Sequence, residues 1–283
     1  MNTSELQRLQ HVELDILKQA IAICDRHGLT YYMLGGTLLG AVRHHGFIPW
    51  DNDIDIGMPR PDYEKFLSYA KQELQSPYHL RTIEDSRAEY VYYYARLENQ
   101  DVKLLRSLSV KQVLISAWLD VFPLDGVPND PQEKKEWEKR CFRSKQYFIM
   151  AQFPYYATPE DPKKKKPFSH KIARFLFLHF HLHRLISTRW AWERLDSALK
   201  SSHYESCDSL INYCGAWGFK EMFPKSVYGS GRLYPFEDLM LNGPEDYDTV
   251  LSQMYGDYMT PPPENKRSRH SVEFAAEQSI LEK

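Results

Sequence analysis

Asp51, Asp53 and Asp55 recur at every second position in the run LGGTLLGAVRHHGFIPWDNDIDIGM (34–58). On a strand, residues two apart project to the same face. A strand here would therefore crowd its carboxylates, with Asp51 at the edge of the turn GFIPWDND, which Gly46 and Pro49 break. No basic residue is interleaved between them. Like charges this close repel strongly, and a hard divalent cation such as Mg²⁺ (or Mn²⁺) is the simplest neutraliser. Just ahead, Gly35-Gly36 falls where a short apolar strand gives way to a helix. Two glycines let the backbone approach a phosphate, and the N–H groups of the following helix, with Thr37 beside them, would cradle it. A phosphate cradle next to a metal clamp describes a site for a nucleoside diphosphate.

The surrounding pattern is mixed. Residues 4–27 read as an amphipathic helix, with Leu6, Leu9, Ile16, Leu17, Ala20 and Ile21 at helical spacing, Ser4 as cap and Gly28 as stop. A strand at Tyr31–Leu34, a helix at Thr37–His44, a strand at Asp53–Met58 and a helix over 60–75 follow. Strands are expected at Tyr78–Ile83, Tyr90–Glu98 and Ala117–Phe122. Helices are expected over 131–152, 168–186 and 188–202, with a loop at 158–167. This order predicts a mixed α/β or α+β core: a catalytic part at about 1–130, and a mainly helical region at about 131–283 that completes the pocket.

The chain has 283 residues and a formal net charge of -2, which argues against a generally basic nucleic-acid binder. Cys24, Cys141, Cys207 and Cys214 are scattered, which reads as buried thiols in a reducing compartment and not as a disulfide framework. The polar start MNTSELQRLQ shows no signal-peptide pattern, and no run of 18 apolar residues occurs, so the expected address is the cytoplasm. From Lys163 to Trp192 there is no Asp or Glu. Lys163–Lys166, Lys171, Arg174, Arg184 and Arg189 are interleaved with Phe175, Leu176, Phe177, Leu178, Phe180 and Leu182. Such a segment suits either contact with a membrane surface through 163–192, at the inner face, or a core helix with a solvated basic flank. His179 and His183 have the spacing of helical metal ligands, but no nearby acid or thiol completes a zinc set.

The run GGTLLGAVRHHGFIPWDNDIDIGM resembles the signature of the LicD family. The resemblance continues in SAWLDVFPLDGV (116–127) and MYGDYMTPPPENKRSRH (254–270), while residues 128–230 match weakly. It implies an α+β nucleotidyltransferase core, similar to that of the DNA polymerase β superfamily. It makes Asp53 and Asp55 paired Mg²⁺ ligands and Asp120 the third carboxylate, acting as base or as a further metal ligand. Many members carry WDDDID where this chain has Asn52, a position that alternates away from the acid face.

The resemblance further implies transfer of a phospho-alcohol from a CDP-activated donor, best known as CDP-choline, to a sugar hydroxyl, with release of CMP. The acceptor would be a teichoic acid or lipopolysaccharide precursor, lipid-linked at the membrane. CDP-ribitol or CDP-glycerol is the alternative donor. Attachment of NMP to a small molecule or protein is the rival reaction, and a degenerate nucleotide-binding regulator is the non-enzymatic rival, against which the intact Asp53, Asp55 and Asp120 argue. Arg43 and His44 would contact phosphate, and Arg267 and His270 would reach back to the nucleotide or acceptor. Choline is a quaternary ammonium, which aromatic cages hold. Tyr92 and Tyr94, on one expected strand face, and Trp50 and Trp118, flanking the acidic motifs, are the cage candidates.

Overall fold

The computed structural model describes residues 1–85, 92–108, 112–156, 175–177, 179–267 and 270–276. Helix α1 (Thr3–His27) is closed by Gly28 in the left-handed region, as its sequence predicts. Its cap is Asn2, not Ser4: the Asn2 side chain accepts from Glu5 N, and the Glu5 carboxylate accepts from Asn2 N. Strand β1 (Tyr32–Met33), helix α2 (Gly35–His44), strand β2 (Asp55–Pro59) and helix α3 (Arg60–Glu73) follow in the expected order.

Next come β3 (Tyr78–Arg81), β4 (Ala95–Ser107) and β5 (Gln112–Val127), then the long helix α4 (Pro131–Ala151) and α5 (Thr188–Leu199). The C-terminal third holds β6 (Ser209–Ile211), β7 (Met222–Pro224), the hairpin β8 (Arg232–Phe236) and β9 (Leu239–Gly243), helix α6 (Tyr247–Tyr255) and β10 (Val272–Phe274). The architecture is α+β.

Among the described residues the main sheet runs β1-β2-β5-β4-β10, with β3 also on β4, and β6 linking β5 to β7. β2 and β5 are parallel, and the other pairs are antiparallel. The parallel pair needs a crossover, which α3 and the β3–β4 hairpin supply. The sheet runs across residue 130, because β6 pairs with Asp125–Val127 and β10 pairs with Leu104–Arg106. The region from 131 onward thus adds strands to the sheet as well as helices beside it.

Two expectations are corrected. β4 begins at Ala95, so Tyr92 and Tyr94 precede the strand and do not share a strand face. β4 also runs on to Ser107 through an irregularity between Asn99 and Lys103, which the sequence pattern conceals. The helix expected over 168–186 does not extend that far: His181 has φ 53, and Leu182–Leu185 form a 3₁₀ turn. A left-handed residue cannot continue a right-handed helix. Residues 163–174 and Leu178 lie outside the described residues.

The core packs α1 and α3 against the sheet, around Leu17, Phe66, Leu97, Leu119 and Val121. A buried fork joins α3 to β5: Arg60 Nε and Nη2 lie 2.6 Å and 2.8 Å from the two oxygens of Asp125. All four cysteines are buried free thiols.

Candidate active site

The acids meet because β2 and β5 run in parallel with Asp55 opposite Asp120. Backbone bonds hold that register: Asp120 N donates to Ile54 O at 3.0 Å, and Leu34 N donates to Asp55 O at 3.0 Å. The Thr37 hydroxyl accepts from Asp55 N at 2.8 Å, which ties the start of α2 to β2. Carboxylate oxygens of Asp53, Asp55 and Asp120 lie within 4.8 Å of one another. Thr37 is buried in this role and does not line the acid cleft described below.

The two glycines make room for the acids. Gly35 has φ 49, a conformation costly to any residue with a Cβ. A Cβ on Gly36 would lie 2.6 Å from Asp51 Oδ2. The protein's own carboxylate therefore occupies space beside the cradle, and both glycines also line the acid cleft.

Burial raises the pKa of Asp55 well above the usual carboxylate range, reinforced by the charges of Asp53, Asp120, Asp51 and Glu221. Burial also raises Asp120, and there Arg96 opposes it. Burial acts on Asp53 in the same direction, but His270, a hydrogen bond from Asp51 and the Arg96 charge outweigh it and hold Asp53 low. Asp51 in turn is pushed well up by burial and by Asp53. From α1, Glu13 is fully buried, neither of its oxygens has a hydrogen-bond partner, and burial plus the acids nearby push it far up.

His270 joins the cluster from the far end of the chain. Its Nε2 lies 2.8 Å from Asp53 Oδ2, and Arg106 Nη2 lies 3.1 Å from its Nδ1. A guanidinium can only donate, so Nδ1 is the acceptor and Nε2–H donates to Asp53. Asn52 and Asp53 precede β2, which starts at Asp55, so no strand alternation governs them; the Asn52 side chain bonds His270 N at 2.8 Å and His270 O at 3.0 Å.

The aromatic cage candidates surround the protein's own cations. The Arg96 guanidinium carbon sits 3.5 Å from the Tyr92 ring centroid, 4.8 Å from that of Trp118 and 5.8 Å from that of Tyr94. Arg96 faces Asp120 across the β4–β5 pair, with Nε at 2.5 Å from Oδ1 and Nη2 at 3.1 Å from Oδ2. A charge buried this deeply needs compensation, and the carboxylate and aromatic faces provide it. Arg267 likewise lies over Trp50, 4.2 Å from the ring centroid. Of the four candidates, Tyr94 alone lines the acid cleft.

That cleft encloses ≈ 290 Å³ and is lined by the three acids, His270 and Arg106, together with Glu221, Trp217 and Tyr255 from the C-terminal third. Arg43 and Arg267 line a neighbouring groove of ≈ 400 Å³ with Trp50 and Asp51. Gly36, Trp217 and Tyr255 border both spaces. Arg43 is tied to Tyr258 O at 2.5 Å and to His44 Nε2 at 2.9 Å. Arg96, Arg106, Glu221, Trp217 and Tyr255 carry no local motif. The one signal available was an Arg in YYYARLE, upstream of a strand with a buried Asp.

The expected histidine pair is apart from this site: His179 stacks on Phe175, and His183 Nδ1 is 3.3 Å from Phe177 O. Among the described residues, the three aspartates are the one cluster with metal-binding spacing.

The family model described as LicD/FKTN/FKRP, nucleotidyltransferase domain, matches residues 28–159. Lipopolysaccharide cholinephosphotransferase LicD of Haemophilus influenzae is 30% identical over 275 residues, 97% of this chain and 99% of that one. Ribitol 5-phosphate transferase FKRP of Homo sapiens is 42% identical over 41 residues, 14% of this chain and 8% of that one. An uncharacterised protein of Rickettsia typhi is 36% identical over 66 residues, 23% of this chain and 21% of that one. With the acid cluster assembled as its motifs imply, and a relative matched along nearly the whole of both chains, the chain belongs to the LicD family.

Proposed function

We propose that this enzyme transfers phosphocholine from CDP-choline to a sugar hydroxyl of a cell-surface glycan precursor, of lipopolysaccharide or teichoic acid, releasing CMP. The observation that carries the proposal is the convergence, in a cleft, of Asp55 and Asp120 across a parallel strand pair with Asp53 from the segment just before β2. The donor alcohol is taken from the near-full-length likeness to a cholinephosphotransferase. The core is read as a nucleotidyltransferase fold, which the parallel strands bearing the acids support.

The donor set fits a hard divalent cation. It consists of carboxylate oxygens within 4.8 Å of one another, and their mutual repulsion is what such an ion would relieve. Asp53, Asp55 and Asp120 would hold Mg²⁺ or Mn²⁺, which when bound supplies charge stabilisation to the departing CMP phosphate. His270 Nε2–H fixes the orientation of Asp53. Arg96 engages both oxygens of Asp120, which suits that residue to holding a ligand geometry better than to taking a proton. Arg106, lining the cleft, adds positive charge for the diphosphate. Arg43, Arg267 and Trp50 in the adjoining groove are read as contacts for the nucleotide portion.

Exposed Phe175, Phe180, Leu185 and Trp190, with Arg184 and Arg189 among them, support contact with a membrane surface that carries a lipid-linked acceptor. No helix among the described residues is long and apolar enough to cross a membrane. We place the enzyme at the cytoplasmic face. Binding to anionic liposomes, lost on neutral ones, tests this.

A ribitol or glycerol donor is the second reading, favoured by the short match to a ribitol 5-phosphate transferase. The test is incubation with Mg²⁺, glycan acceptor and CDP-choline, CDP-ribitol or CDP-glycerol, with CMP as readout. CMP release from CDP-choline alone supports the proposal. Cytidine label appearing on the acceptor would instead indicate NMP transfer.

A further inference from the structure

We infer that Glu221, with the rings of Trp217 and Tyr255, forms the subsite that receives the quaternary ammonium group of the donor; this rests on the CDP-choline reading above. Glu221 lines the acid cleft yet is only 5% exposed. The chain around it is shaped to hold its carboxylate. Asn212 Nδ2 donates to Oε2 at 2.8 Å, and Trp217 N donates to Oε1 at 2.9 Å. Gly215 has no side chain where one would collide: a Cβ there would lie 2.3 Å from Oε1 and 2.7 Å from Oε2.

What this carboxylate lacks is a cation in contact, for the Lys145 charge reaches it only from a distance. No Lys, Arg or His among the described residues lies within 4.0 Å of it as an ion pair. Lys145, the nearby base, is turned to Tyr213 O at 3.0 Å, and its ammonium lies 4.8 Å and 5.0 Å from the Tyr213 and Tyr93 ring centroids. A buried carboxylate without a cation is costly, and burial raises its pKa to about 7.

A cation that cannot donate hydrogen bonds suits this place. Each oxygen accepts one bond and keeps a further lone pair, and the charge of the group, set beside aromatic rings, attracts a cation. Trp217 and Tyr255 meet edge to face at 6.0 Å between centroids, and both line the cleft. Tyr94 and Phe122, 4.3 Å apart, line it as well. Aromatic faces beside a carboxylate attract quaternary ammonium. Of the four aromatics marked in the sequence, Tyr92, Trp118 and Trp50 are spent on Arg96 and Arg267, while Tyr94 lines the cleft with Trp217, which also carries the Lys220 ammonium 4.8 Å from its ring centroid.

The test measures the affinities of CDP-choline and CDP-glycerol, each with Mg²⁺, by calorimetry on wild type, Glu221→Gln and Trp217→Leu. The readout is the ratio of the two affinities. In wild type CDP-choline should bind at least tenfold better, and each substitution should lower the ratio by about tenfold. Trp217→Leu removes an exposed ring and leaves the backbone N–H that holds Glu221, so it reads the subsite even if Glu221→Gln folds poorly. A ratio unchanged in both variants overturns the inference while leaving the donor reading intact. Unchanged affinities with slower CMP release in Glu221→Gln also overturn it, in favour of a general base. A wild type that does not prefer CDP-choline overturns the donor reading itself, and the subsite with it.

Discussion

The Asn52 side chain grips the backbone of His270 by both polar groups, accepting from N at 2.8 Å and donating to O at 3.0 Å. The two residues are 218 apart in sequence. A carboxamide can accept and donate at once, and a carboxylate cannot. An aspartate at this position would face a carbonyl with no hydrogen to offer.

Asn52→Asp should therefore loosen the segment that carries His270. The expected loss of stability is about 1–2 kcal/mol, from one lost bond and one added repulsion. Urea unfolding gives the first number, and faster amide exchange at β10 checks that the loss is local to this clamp.

The three aspartates repel one another until something neutralises them. Asp55→Asn should lower CMP release by about a hundredfold or more, since charge stabilisation at the leaving phosphate is lost. In EDTA the same variant should melt higher than wild type, because its repulsion is relieved. Mg²⁺ should raise the melting temperature of wild type in proportion to log concentration and leave Asp55→Asn nearly unmoved. A wild-type melting temperature indifferent to Mg²⁺ and Mn²⁺ would contradict the metal assignment.

Arg96 is the cation on which Asp120, Tyr92 and Trp118 converge. Arg96→Met leaves a buried carboxylate unpaired and should cost about 3–5 kcal/mol. Tyr92→Leu and Trp118→Leu should likewise lower the unfolding midpoint, without changing the preference among CDP-alcohols. A change in donor preference with stability intact would restore those rings as a cage.

Glu221 titrates near 7, against an ordinary value of 4.5, because burial penalises its charge. The folded protein therefore holds more protons than the unfolded chain between those values. The stability linked to this group is greatest below about pH 4.5 and falls by about 3 kcal/mol as the pH rises through about 7. Glu221→Gln removes that slope. Unfolding midpoints for both proteins at acid and at mildly alkaline pH should show wild type losing ground to the variant as the pH rises.

Local chemistry in the sequence determined the glycine turn, the Asp53–Asp55 pair, α1 to α3 and the α+β class. Each of these depends on spacing within a few residues, which a one-dimensional pattern records. Tertiary structure decided which strand lies beside β2, and with it the pairing of Asp55 with Asp120. It also decided that Tyr92, Trp118 and Trp50 serve arginines, and that Glu221, without any motif, faces the acid cleft. The reason is physical: a buried charge takes its partner from whatever the packing brings within a few ångströms, and that neighbour comes from a remote part of the chain, as His270 does for Asp53.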